Sequence, residues 1–133
     1  MTNPYNQNLD QNPANHQPLT PLTFLERAAS VFPDQVAIIH GDLRQNYLNL
    51  YTRSVKLSSA LNKAGIKRGD TVSALLPNTP AMLECHYGVP MSGAILHSIN
   101  TRLDPAVISF QLNHAESKIC LLYTSPSPRD VEE

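Results

Sequence analysis

Thr71 to Asp104 reads TVSALLPNTPAMLECHYGVPMSGAILHSINTRLD, and its reading decides the fold. Val72 to Leu76 is a short apolar run broken only by Ser73, and Pro77-Asn78 stops it. Asn78 or Thr79 can cap the helix that follows, and Pro80 suits its first turn. Met82, Leu83, His86, Tyr87 and Val89 then recur at roughly helical spacing, and the Met82, Leu83, Tyr87 face reads as core. Pro90 and Gly93 end or bend the helix. Ala94 to Ile99 is a second apolar run, and Gly93 before it is small enough for two backbones to approach. Strand, crossover helix and strand make a βαβ unit, so the expected fold class is α/β, with a mainly parallel or mixed sheet and flanking helices.

The flanks extend this pattern. Met1 to Pro18 is rich in Asn, Gln and Pro and reads as an extended or disordered arm. Thr23 with Glu26 predicts a capped helix start. Phe24, Leu25, Ala28, Ala29 and Phe32 would form that helix's apolar face. Gln35–His40 and Arg44–Tyr47 flank the turn Gly41-Asp42 and predict a hairpin. From Leu48 to Lys63 a long helix is expected, with Leu50, Ser54, Leu57, Leu61 and Ala64 on one face and Gly65 as its stop. Lys67 to Asp70 is a charged turn. Asp104 and Pro105 open a last helix with Val107, Ile108, Phe110 and Leu112 on its face, and Ser117 to Leu122 reads as a final strand.

Composition limits the function classes. Of 133 residues, 16% are charged and the net charge is -1. Soluble domains usually carry about 25% charged residues, so part of this surface is expected to lie against more protein. No Lys/Arg cluster is present, which argues against nucleic acid as a partner. The apolar runs are too short for a transmembrane segment. There is no basic and apolar leader, and the two cysteines, Cys85 and Cys120, form no framework. A cytoplasmic location is the expectation.

Three segments carry a resemblance. They are PLTFLERAASVFPDQVAIIHGD (Pro21 to Asp42), NYLNLYTRSVKLSSALNKAGIKRGDTVSALLPN (Asn46 to Asn78) and YGVPMSGAILHSINTRLDPAVISFQLNHAESKI (Tyr87 to Ile119). In order and spacing they resemble the N-terminal end of the adenylate-forming acyl-CoA synthetases, the AMP-binding superfamily, and most closely its medium-chain and plant-type acyl-activating branch. Ser54, Ser58, Asn46 and Asn49 depart from that pattern. The resemblance implies that the parent protein joins a carboxylic acid to coenzyme A at the expense of ATP, through an acyl-adenylate, with Mg²⁺. It also implies a glycine-rich phosphate loop and later acidic and lysine motifs, and none of these occurs here. The five glycines, Gly41, Gly65, Gly69, Gly88 and Gly93, stand singly. The chain is therefore read as an incomplete N-terminal part of the large domain, spanning residues 19–119. No catalytic, cofactor-binding or metal residue is expected within it, and neither ATP, Mg²⁺ nor coenzyme A is expected to bind it alone.

Residues 120–133 read differently. CLLYTSPSPRD, Cys120 to Asp130, resembles the translation of a transposase-type sequencing adaptor, so gene-derived sequence is expected to end near Ile119. On that reading Cys120 carries no redox or metal role.

Individual candidates weigh little on their own. Cys85 and His86 are adjacent on a helix and point apart, whereas a metal needs convergent ligands. His97 reads as a hydrogen-bonded strand histidine, with proximity to a substrate channel as the other possibility. Glu84 and Asp104 make no acid/base pair, and no Ser lies in a nucleophile elbow. Lys67-Arg68 reads as a solvated turn. Two rival readings stand beside the synthetase. One is another adenylate-forming enzyme, luciferase-like or loading a carrier protein; the other is a complete small α/β binding or interaction module.

Overall fold

The computed structural model describes residues 2–123. Residues 2–19 are exposed throughout, yet they are not simply extended. Pro4–Asn6 forms a single 3₁₀ turn, because the Asn3 side chain accepts a hydrogen bond from the Tyr5 amide at 3.0 Å. The Asn/Gln-rich composition thus writes local Asx turns that bury nothing.

Helix α1, Pro21–Val31, starts earlier than the capping-box pattern predicts. Pro21 takes the first helical position, where its missing N–H costs nothing. Thr23 is already inside the first turn and its hydroxyl donates back to the Thr20 carbonyl at 2.9 Å. Only Leu25 and Ala29 of the expected face are buried. Phe24 and Phe32 remain exposed: the stripe that the helix buries, Leu25 and Ala29, is narrower than the one the sequence offers.

Strands β1, Val36–His40, and β2, Leu43–Asn46, pair antiparallel as the expected hairpin, with a bulge between Val36 and Ile38. The bulge leaves Ile38 pointing inward against Leu25 and Leu50. Tyr47, placed in the return strand from sequence, instead opens α2, Tyr47–Lys63. The Asn46 side chain accepts from the Asn49 amide at 2.8 Å, and this cap sets the boundary. At the other end, the Gly65 amide bonds the Asn62 carbonyl and the Ile66 amide bonds the Leu61 carbonyl, both at 3.1 Å. Gly65 has φ +90°, so this is a complete Schellman stop.

Strands β3, Thr71–Leu75, β4, Ile95–Ser98, and β5, Ser117–Leu122, form a parallel sheet in the order β4-β3-β5. The hairpin is a separate two-stranded sheet rather than part of it. Helix α3, Pro80–Met91, crosses from β3 to β4, and α4, Pro105–His114, crosses from β4 to β5. Right-handed crossovers in opposite directions place α3 and α4 on opposite faces. On the α3 face, Val72 and Ala74 of β3 pack with Met82, Cys85 and Val89 of α3 and with Leu61 of α2. On the other face, fully buried Ser73 shares hydrogen bonds with His97 Nδ1 at 2.9 Å and with Ser117 Oγ. One hydroxyl thus ties all three strands. As expected, Gly93 lies at a close approach: its carbonyl accepts from the Gly69 amide at 3.0 Å.

The buried face of α3 is not the one its apolar spacing predicts. Leu83 is exposed, and the buried residues are Met82, Glu84, Cys85, Gly88 and Val89. The helix is gripped from two directions, by the sheet and by α2, so the buried arc is wider and turned relative to a single apolar stripe. Helix α4 buries none of its predicted face; Ile108 and Leu112 are half-buried, while Val107 and Phe110 are exposed. After α4, Glu116 holds φ +51°, a conformation that favours glycine. Glu116→Gly is expected to raise stability by roughly 0.5–1 kcal/mol, read as a higher urea midpoint.

Candidate cleft at the carboxyl ends of the parallel strands

The loops after β3 and β4 leave the sheet toward opposite faces, one into α3 and the other into α4. Between them lies a cleft of about 770 Å³, bounded by Leu76 to Asn78, Ser98 to Arg102, and Met82 and His86 of α3. Open α/β sheets bind ligands at this kind of position, outside the carboxyl ends of strands whose connections diverge. A second cavity, about 360 Å³ and mostly apolar, adjoins it between β1 and the first turn of α3. Asn78, Met82 and His86 line both.

Local sequence fixes the cleft walls. The Ile99 amide bonds the Ala74 carbonyl at 2.9 Å, carrying the β3–β4 pairing one residue further and burying Ile99. The Asn100 side chain then accepts from the Arg102 amide at 2.9 Å and turns the chain away. His86 Nδ1 lies 2.8 Å from the Met82 carbonyl. A carbonyl only accepts, so Nδ1 carries the proton, and in the neutral ring Nε2 keeps its lone pair. Among the described residues the lining offers amides, hydroxyls, one imidazole and one cation, Arg102, but neither Asp nor Glu. Such a surface can hold and orient a polar ligand. Carboxylates that hold Mg²⁺ and a glycine-rich amide cradle for nucleotide phosphates are not among these described lining residues.

The other candidates fall apart spatially. Cys85 is buried and His86 is exposed, on different sides of α3. Among the described residues no group of three or more His, Cys, Asp or Glu converges. Burial first, and the Glu84 charge second, push the Cys85 thiol from its ordinary 9.0 up to about 11. Burial also raises Cys120, against a lowering backbone hydrogen bond at Leu75. The thiolate is the reactive form, so Cys85 is expected to resist a disulfide reagent at pH 8 in the native state and to react only on unfolding. The raised pKa of the folded thiol adds stability below about pH 9 that is lost as pH climbs toward 11.

Glu84 does not face Asp104. It is 7% exposed and pairs with Arg53 of α2, and that hydrogen bond, with the charge behind it, raises the guanidinium above its ordinary value. Asp104 caps α4 by position without a side-chain bond. His97 is the hydrogen-bonded strand residue described above. Lys67 and Arg68 are exposed, and the turn is held by the Lys67 amide donating to the Asp70 carboxylate at 2.8 Å. The sequence reading missed Asn78, Asn100, Thr101 and Arg102 as one group. Their signal was positional: both loops directly follow parallel strands.

A parallel sheet with divergent crossovers and a polar cleft at its carboxyl end is an open α/β architecture. The AMP-binding enzyme family matches residues 25–133, and the chain belongs to that family. It is 49% identical over 106 residues to a peroxisomal butyrate–CoA ligase of Arabidopsis thaliana, covering 80% of this chain and 18% of the ligase. A peroxisomal benzoate–CoA ligase of the same plant is 46% identical over 109 residues, covering 82% and 19%. Among solved structures, a Mycobacterium tuberculosis fatty acyl CoA synthetase superposes with TM-score 0.73 at 30% identity, covering 83% of this chain and 22% of that one. The chain spans about a fifth of the length of the curated relatives it matches. Among the described residues, no helix is long and apolar enough to cross a membrane.

Proposed function

We propose that the parent protein is an ATP-dependent acid–thiol ligase. A carboxylate attacks the α-phosphate of ATP to give acyl-adenylate and pyrophosphate, and the thiol of coenzyme A then displaces AMP to give acyl-CoA. The observation that carries this reading is near-half identity to enzymes named butyrate–CoA and benzoate–CoA ligase. Residues 19–119 serve as scaffold: they set the first parallel strands and the cleft at their carboxyl ends. Residues 1–18 are an appended arm, and 120–133 derive from an adaptor. Of that tail, Cys120 to Leu122 complete β5 beside β3, while residues 124–133 lie outside the described residues. A cytoplasmic location belongs to the same proposal, set against relatives whose names place them in peroxisomes.

The open reading frame recovered through Ile119 is expected to encode an enzyme that forms AMP and an acyl-CoA from butyrate or another carboxylic acid. A full-length product that consumes ATP with no thioester formed would redirect the proposal to another adenylate-forming reaction. Codons over Cys120 to Asp130 unrelated to the adaptor would overturn the assignment of the tail.

A further inference from the structure

We draw no further inference here: the strongest candidate, the exposed apolar side of α4 carrying Val107 and Phe110 beside the outer edge of β5, is an unpartnered face and nothing in the structure shows what covers it.

Discussion

Gly88→Leu is expected to abolish native packing of α2 on α3. A Cβ at Gly88 would lie 2.8 Å from Leu57 Cδ2, 2.9 Å from Leu57 Cβ and 2.9 Å from the Ser54 carbonyl oxygen. Leu57 could shift a methyl, but the Ser54 carbonyl is helix backbone and moves only with α2. Ser54 is fully buried, its hydroxyl turned back to the Leu50 carbonyl at 2.8 Å, and Ser58 is nearly so. These two serines sit on the face that lets α3 come close. Overpacking by one methyl costs about 1–3 kcal/mol, the range expected for Gly88→Ala. A leucine adds three more carbons and exceeds what a domain of marginal stability tolerates. Urea unfolding of the parent protein reads the alanine variant, and native-state protease resistance reads the leucine variant. An unchanged midpoint for Gly88→Ala would mean the helices are not in this contact.

Arg53→Ala is expected to destabilise the fold by about 1–3 kcal/mol, below the usual cost of breaking a fully buried pair. The two ends are unequal: the Glu84 side chain is 10% exposed and Arg53 is 53% exposed. Truncating the arginine leaves a carboxylate in a nearly closed site without its ion-pair partner. Adding Glu84→Gln in the same background removes that charge and is expected to restore most of the loss. A double variant no more stable than Arg53→Ala would show that the arginine acts through its packing alone.

Local signals carried much of the fold. Pro80 and Pro105 each mark a helix start, Gly65 marks a stop, and Val72, Ala74 and Leu76 alternate as one strand face should, whereas the Thr23–Glu26 pattern put the start of α1 too late. What periodicity could not give was which way each helix faces. Leu83 and Phe24 look like core residues because an apolar residue at helical spacing is ambiguous until its neighbours are placed. The Arg53–Glu84 pair joins residues 31 apart in sequence on two helices, and no local pattern announces it. The cleft was hidden for the same reason. Asn78 and Arg102 become neighbours only once β3 and β4 lie parallel and their loops part. His97 was read correctly as a strand residue, but its partner Ser73 followed only from the register that sets them side by side.

The most direct measurement is carboxylate-dependent release of pyrophosphate from ATP by the purified 133-residue chain, run beside the full-length protein. None is expected from the chain alone, because the described residues of its cleft include neither carboxylates nor a phosphate cradle, and robust release is expected from the full-length protein. Release by the chain itself, dependent on a fatty or aromatic acid, would contradict that expectation.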